Sequence, residues 1–547
     1  SYLLVGSIKM WAHTRSDFLA KRVTFFPPAP QLGDVLAGDG ELGVPLTPAV
    51  VTIPKLKRPP EIDGTVGETE WQSAAAVTGL VNVQTMMAMS EQTVFFLGYD
   101  AQRLYIGIQA FRRNAQLIDS ACHVRDGAVY LDDAIEIYLR PGGQGPHYQF
   151  IGNSFGTIYD GFNGKNEWNG NWEFKTHHSD RFWSGEIAIE WAELRQDAPA
   201  DGDTWTVNFC RELPKMSEIA SWALIHRSYG QPDRFGKAVF SADGAAARVL
   251  AIEGLERGQI SMLSATTVPG QAQLALSDGQ TVLARTSNAV DRTVAPVELQ
   301  NDGGSAAGQY LMSYVLNDDE GDVLTSGTLP FALLPPFDVH LHRLPSFDTL
   351  NVIVDVRGMR GLPAGAVARA AILNAAGKTL VSNETKALGA EAQFVVPLTT
   401  GTIKPGEWHV RGELLGQDGK TVHSKMLSWT KRERPWWHGS QAGIIDQVLP
   451  PWTPMTVTGT TIGCWGREIT FGQSVLPEQI TSQGKDLLTG PMRLKVTSDG
   501  RSSELGAGQC RVSRAAGHEV NMNGSSTANG LELSADIHAE YDGMFRF

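Results

Sequence analysis

The feature that most constrains the fold is a succession of short segments in which apolar and polar side chains alternate. In one of them, Ile135, Ile137 and Leu139 lie on one face of a strand, and Glu136 and Tyr138 lie on the other. Polar, glycine-containing turns separate such segments along most of the chain. The pattern predicts an all-β protein built from tandem antiparallel β-sandwiches.

Turn-containing hairpins mark the predicted organisation. The β-rich runs 94–99 and 104–109 flank a polar turn, and similar hairpins recur near residues 316–324, 373–380 and 415–422. The later hairpins belong to two modules that resemble immunoglobulin-like sandwiches. The predicted divisions are an extended lead-in over 1–49, a sandwich over 50–247, immunoglobulin-like sandwiches over 248–335 and 336–430, and a further, incomplete sandwich over 431–547.

Charge and hydropathy exclude two classes of protein. Lys and Arg number 46 and Asp and Glu number 59, which gives a net charge of −13. A nucleic-acid-binding protein normally presents a basic face to phosphates, so nucleic acid is not an expected partner. No stretch reaches the roughly 18 apolar residues that a membrane span needs.

A short segment combines aromatic and amide side chains in a way that suits sugars. It contains Trp168 and Trp172, with Asn166 and Asn171 beside them. Flat rings can stack on the apolar C–H face of a sugar, and amides can bind its hydroxyl groups. The alternative is that both tryptophans cap the sandwich core and the asparagines form turns.

Several motifs, in order, resemble family 9 carbohydrate-binding modules over residues 58–242. They are residues 62–71 (IDGTVGETEW), 132–139 (DDAIEIYL), 205–211 (WTVNFCR) and 235–240 (FGKAVF). The resemblance implies a sandwich that holds a sugar between two tryptophans, with polar side chains fixing its hydroxyls. Trp168 and Trp172 are the candidates for that platform. Trp71, which is also a candidate for the core, Glu136 and Tyr138 complete the predicted carbohydrate-binding set.

The resemblance also raises the question of calcium, because some family 9 modules carry a structural calcium ion. Asp132 and Asp133 stand at the start of a predicted strand and offer hard oxygen ligands. They are the predicted metal ligands. The alternative is that they make turn hydrogen bonds, because a calcium site needs six to eight oxygens and the sequence does not supply the rest.

A second resemblance concerns the end of the chain. Residues 464–471 (CWGREITF), 476–480 (LPEQI) and 540–543 (EYDG) resemble a sandwich domain of large bacterial proteins similar to glycoside hydrolase family 123. In those proteins it precedes a (β/α)8 barrel, where an adjacent Asp-Glu pair is catalytic. No alternation of strands with long helices occurs here, and Asp319-Glu320 lies in a hairpin turn. The catalytic domain is therefore expected to be missing, and the natural protein to continue past Phe547.

Three functional hypotheses follow. The favoured one is a non-catalytic, carbohydrate-binding region of a multidomain glycoside hydrolase, working outside the cell or in the periplasm. The second is a surface or adhesion-type scaffold without sugar affinity. The third is an enzyme with paired carboxylates inside these sandwiches. The sequence leaves the sugar and the oligomeric state open.

Overall fold

The computed structural model describes most of the chain after residue 41. The described residues are 36, 42–112, 118, 120–216, 218–300, 306–389, 392–433, 446–472, 474–498, 501–504, 508–528 and 531–547. Nearly all of the predicted lead-in therefore lies outside them. Over these ranges the secondary structure is β-strand with short 3-10 turns and without α-helix, which confirms the predicted all-β class. None of the described residues forms a helix long and apolar enough to cross a membrane.

Within the part of the first sandwich that the structure describes there are fourteen strands. They are β1 (Val50–Pro54), β2 (Ala75–Val77), β3 (Val81–Asn82), β4 (Met87–Ala88), β5 (Thr93–Tyr99), β6 (Arg103–Phe111), β7 (Ala134–Arg140), β8 (Tyr148–Asn153), β9 (Ile158–Phe162), β10 (Trp172–His178), β11 (Phe182–Glu190), β12 (Thr204–Leu213), β13 (Glu218–Ser221) and β14 (Gly236–Ser241). Short 3-10 turns lie at Val129–Leu131, Pro141–Gly143, Pro214–Met216 and Pro232–Arg234.

The next two sandwiches follow directly. The second contains β15 (Ala247–Glu253), β16 (Gln259–Thr266), β17 (Gly270–Ser277), β18 (Val282–Val290), β19 (Ala295–Gln300), β20 (Gly308–Asp318) and β21 (Val323–Leu333). The third contains β22 (Asp338–Leu344), β23 (Thr349–Asp355), β24 (Val367–Leu373), β25 (Thr379–Thr385), β26 (Gln393–Thr399), β27 (Gly406–Leu415) and β28 (Thr421–Lys431). Further 3-10 turns lie at Leu255–Arg257 and Pro345–Phe347.

The chain divides into two compact units, Ser1–Lys431 and Arg432–Phe547. The second unit contains a five-stranded, a two-stranded and a four-stranded sheet. Its strands are β29 (Thr456–Thr458), β30 (Thr461–Cys464), β31 (Arg467–Phe471), β32 (Pro477–Ser482), β33 (Lys485–Asp486), β34 (Lys495–Ser498), β35 (Arg501–Glu504), β36 (Gln509–Ala515), β37 (Glu519–Ala528), β38 (Leu531–Glu540) and β39 (Phe545–Arg546).

The first two sandwiches are joined through both of their sheets. Strand β1 pairs in parallel with β14 of the first sandwich and antiparallel with β21 of the second. Strand β15 pairs with β2 of the first sandwich and with β16 of the second. Near residue 247, where the sequence predicts a boundary, the hydrophobic core changes but the sheets continue. They continue because strands at the edge of one sandwich pair with strands of the other.

The core of the first sandwich also contains charge. The Asp133 carboxylate is fully buried and contacts Arg211 at 2.5 Å and Arg112 at 3.1 Å. The Trp183 indole N–H donates to the same carboxylate over 2.9 Å. Burial lowers the pKa of Arg211, and the adjacent Asp133 opposes that shift. The Asp133 carboxylate is therefore shared by two buried guanidinium groups that come from the ends of different strands.

We expect Asp133→Ala to destabilise the first sandwich by roughly 3–5 kcal/mol, because it removes a buried carboxylate that contacts two buried guanidinium groups. The denaturation midpoint of this sandwich, followed in urea, checks the prediction. The exposed Asp197→Ala variant serves as control and should leave the midpoint unchanged. Equal midpoints for both variants would show that Asp133 has no such role.

Candidate functional site

The candidate site lies on the outward face of the four neighbouring strands β12, β7, β8 and β9. Alternation along each strand sends one set of side chains into the core and the other outward. Cys210 of β12 lies opposite Glu136 of β7, so Glu212 is a diagonal neighbour of Glu136 on the same face. Gln149 of β8 lies opposite Tyr138 of β7. Polar groups of three strands are thereby brought together.

Two segments pack against this face from either side. The loop 222–235 packs Tyr229 and Phe235 onto Tyr138. The segment 120–133 packs over the opposite side through Cys122, Val129 and other apolar side chains.

The side chains between these two segments reach solvent. Gln149, Tyr159 and Glu212 are each half-buried. Tyr130 is 49% exposed at the rim beside them. We call this partly exposed polar surface between the two segments the cleft; Glu136 and Tyr138 lie buried beneath it.

Hydrogen bonds fix the floor of this cleft. The Glu136 carboxylate is buried and accepts from both the Tyr138 hydroxyl and the Gln149 amide. The same amide nitrogen lies 3.2 Å from the Tyr138 hydroxyl oxygen. The Tyr229 hydroxyl donates to the Arg211 carbonyl over 3.1 Å. These contacts hold the side chains in single orientations, which lowers the entropic cost of binding a polar ligand.

Burial sets the protonation of the acids. It raises the pKa of Glu136, and the hydrogen bonds from Tyr138 and Gln149 reduce that effect. Burial, and then the charge of Glu136, raise the pKa of Glu212 to about 9. They also raise the pKa of Tyr159. At neutral pH the Glu212 carboxyl is therefore protonated, and the cleft offers donors as well as acceptors.

Trp71 lies in the core, which is the alternative that the sequence left open for it. It is 1% exposed, and its indole N–H donates to Glu186 over 2.9 Å. The Glu186 carboxylate also accepts from the backbone N–H groups of Asp63 and Gly64, each over 2.9 Å. This network accounts for the motif of residues 62–71: its tryptophan and its turn share one buried acceptor.

The two tryptophans of the predicted platform have different surroundings. Trp172 is 6% exposed and donates its indole N–H to Asp160 over 2.9 Å. Trp168 is half-buried, with its ring 5.1 Å from that of Tyr148 and 5.7 Å from that of Phe150. The rings therefore do not form a paired, exposed platform.

The asparagines of this loop remain at the surface. Asn166 and Asn171 are exposed, and the backbone N–H of Asn171 donates to Glu193 over 3.0 Å. Both tryptophans pack on the core side of the sheet, whereas Glu136 and Tyr138 lie on its outward side. The structure thus separates the predicted carbohydrate-binding residues into two groups.

Asp132 and Asp133, the predicted metal ligands, accept hydrogen bonds and form ion pairs within the protein. The Asp132 oxygens accept the N–H groups of Ala121 and Cys122 over 2.9 and 3.0 Å, and the Asn153 amide over 2.8 Å. The Asp133 oxygens form ion pairs with the buried Arg112 and Arg211 guanidinium groups and accept a hydrogen bond from Trp183. Within the described ranges, no three His, Cys, Asp or Glu side chains are placed to hold a metal ion. The oxygens of this pair face N–H donors, which is the alternative that the sequence left open, and calcium on the pair stays a prediction.

The sequence interpretation missed Gln149, Tyr159, Glu212 and Tyr229. A sequence pattern could have found Glu212. Along strand β12, apolar residues that point into the core alternate with Asn208, Cys210 and Glu212, which lie on the other face. Gln149 could be found in the same way on β8. No local pattern brings Tyr229 to this face, since a loop that is distant in sequence carries it.

Comparisons with known proteins bear on both ends of the chain. Residues 455–547 match the family model of the glycoside hydrolase 123 third domain. The resemblance to family 123 noted in the sequence is thereby confirmed for this part of the chain. No protein with a curated description matches the sequence.

Solved structures with similarity include small modules and repeat proteins. A protein from Bacteroides uniformis ATCC 8492, with a suggested carbohydrate-binding role, is 14% identical over 36% of this chain and 100% of its own, with a TM-score of 0.30. A family 9 carbohydrate-binding module from Caldicellulosiruptor kristjanssonii, in complex with cellotriose, is 16% identical over 35% of this chain and 94% of its own, with a TM-score of 0.27. Family 9 is the family that residues 58–242 resemble in sequence.

We expect Glu212→Gln to remove a pH-dependent loss of stability. Between the ordinary pKa of 4.5 and the raised value of about 9, the unfolded chain is ionised at this position while the folded chain holds its proton. Stability therefore falls as the pH rises through this window. The variant cannot ionise, so its unfolding midpoint should exceed that of the wild type increasingly from pH 5 to pH 9.

Thermal unfolding at several pH values measures the effect. Glu167→Gln, at an exposed carboxyl of the same sandwich, is the matched control and should follow the wild type. A constant difference between Glu212→Gln and the wild type across the range would contradict the assignment.

Proposed function

We propose that this chain is a non-catalytic, carbohydrate-binding region of a multidomain glycoside hydrolase, and that its first sandwich binds a glycan on its outward face. The observation that carries the proposal is the cleft between the loop 222–235 and the segment 120–133. It gathers Glu136, Gln149 and Glu212 beside two tyrosines that reach solvent.

The chemistry of the cleft matches that of a sugar. Sugar hydroxyls both donate and accept, and the floor supplies an ionisable carboxyl pair and an amide that do both. Tyr130 and Tyr159 offer aromatic faces for the apolar C–H side of a pyranose ring. A few fixed polar groups within a partly apolar concavity are typical of small-ligand sites.

The match of residues 455–547 to a domain of glycoside hydrolase 123 supports the connection with glycan degradation. The described residues are β-strands and turns, without the alternating strands and helices of a (β/α)8 barrel. We therefore assign recognition of a glycan to this region and its cleavage to another domain of the parent protein. Such a protein would act outside the cell or in the periplasm.

The Trp168 loop is the second candidate surface within the same sandwich. Its half-buried ring lies next to exposed Asn166 and Asn171. Arg125 stiffens the loop by donating to the Gly170 carbonyl over 2.9 Å and to Asp160 over 2.5 Å. Its chemistry also suits a sugar, so variants must separate the two surfaces.

The test is a screen of the whole chain against an array of immobilised glycans, followed by titration of the strongest ligand. Tyr159→Phe and Glu212→Leu should each weaken binding about tenfold, because each removes a side-chain group whose hydrogen bond contributes ~1–1.5 kcal/mol. Glu167→Gln should bind as the wild type does.

Other results would contradict the proposal. If Trp168→Ala abolishes binding while the Tyr159 and Glu212 variants bind normally, the site is on the Trp168 loop. If the folded chain binds no glycan, the scaffold hypothesis is the better account.

A further inference from the structure

In the second unit, hairpin loops meet at one end of the five-stranded sheet. Trp465 and Gly466 form the two-residue loop between β30 and β31, and Gln483 and Gly484 form that between β32 and β33. The two loops are adjacent, since the Gln483 N–H donates to the Gly466 carbonyl over 2.7 Å. The turn before β39 reaches the same place, because a Cβ built on Gly543 would lie 3.1 Å from the Arg467 guanidinium.

Trp465 has a backbone conformation that tryptophan rarely adopts. Its φ is +38° and that of Gly466 is +78°, the pair of positive values that a two-residue hairpin loop of type I′ requires. Asn, Asp and Gly are the usual residues at such positions, because a bulky side chain crowds the backbone there. Yet the Trp465 side chain is 51% exposed. Packing into a core does not account for a large ring at this position.

Other aromatic side chains surround it. The Trp452 ring lies 6.0 Å from the Trp465 ring at an interplanar angle of 57°. The Tyr541 ring lies 5.8 Å from that of Trp452. Trp452 and Tyr541 are both half-buried, so the three rings form an aromatic cluster with one end in solvent.

Polar side chains border this aromatic cluster. Arg467, Gln483 and Asp542 are all exposed at the same loop tips. They provide a guanidinium group, an amide and a carboxylate, which together donate and accept hydrogen bonds. Aromatic rings beside exposed groups of these kinds match a single sugar ring better than a protein partner, whose interface requires a larger area with an apolar centre.

We propose that the loop tips around Trp465 form a second carbohydrate-binding site, in which a pyranose ring stacks on Trp465 with its edge against Trp452, and its hydroxyls bind Arg467, Gln483 and Asp542. This site is separate from the cleft of the first sandwich and does not depend on it. Ligand binding by the Trp465 ring would explain why a tryptophan is kept at a positive φ despite its conformational strain.

The test uses the whole chain with 5-fluorotryptophan at its 14 tryptophan positions. Fluorine NMR then gives one signal for each ring, and the signals missing in Trp465→Asn and Trp452→Phe assign these two residues. Cellotriose, xylotriose and tri-N-acetylchitotriose are titrated separately. For at least one of them, the Trp465 and Trp452 signals should shift and saturate together.

Trp465→Asn is the discriminating variant, because asparagine favours positive φ. Its unfolding midpoint in urea should be no lower than that of the wild type, while the Trp452 signal no longer responds to the sugar. Glu212→Gln, in the other site, should leave the Trp465 shift unchanged.

Three results would overturn the second site. The first is that no oligosaccharide shifts the Trp465 and Trp452 signals. The second is that the Trp465 signal shifts only when the protein concentration is raised. The third is that Trp465→Asn unfolds at a lower urea concentration than the wild type. The second result would indicate contact between copies of the chain, and the third a packing role. A shift confined to the Trp168 signal, which Trp168→Ala assigns, would place binding on the first sandwich alone.

Discussion

The buried contact of one carboxylate with two guanidinium groups determines how the first sandwich is arranged. Asp133 stands at the start of β7, Arg211 lies in β12, and Arg112 follows β6 directly. A buried charge without a partner is costly, so these strands have one arrangement that satisfies all three groups. The same two strands, β7 and β12, carry Glu136 and Glu212 on their outward face. The geometry of the proposed site thus depends on a charge cluster on the opposite side of the sheet.

Buried carboxylates play a similar part elsewhere in this sandwich. Glu186 binds the turn of residues 63–64 and Trp71, and Asp160 binds Gly170 and Trp172. In each case one acid satisfies backbone N–H groups and an indole, which fixes a loop to the core. The tryptophan and the turn of the motif 62–71 are therefore explained by a structural role, whereas the motif 132–139 supplies Glu136 and Tyr138 to the proposed site.

The strands could be predicted from the sequence because alternation is local. The alternation of apolar and polar residues along β7 gave the correct faces, with Ile135 and Ile137 on one side and Glu136 and Tyr138 on the other. The continuity of the sheets at β1 and β15 could not be predicted, since it depends on pairing between distant segments. The position of Trp172 could not either: the composition of its loop suits an exposed platform and a core cap equally, and the burial of Asp160 decides between them.

The central claim is that the outward face of β7, β8 and β12 contacts a glycan. Hydrogen–deuterium exchange of the whole chain, with and without its strongest glycan ligand, measures this contact directly. The account predicts slower exchange in the segment 120–133 and the loop 222–235, because these segments form the two sides of the cleft. Protection confined to residues 163–172, or no change in either flanking segment, would contradict it.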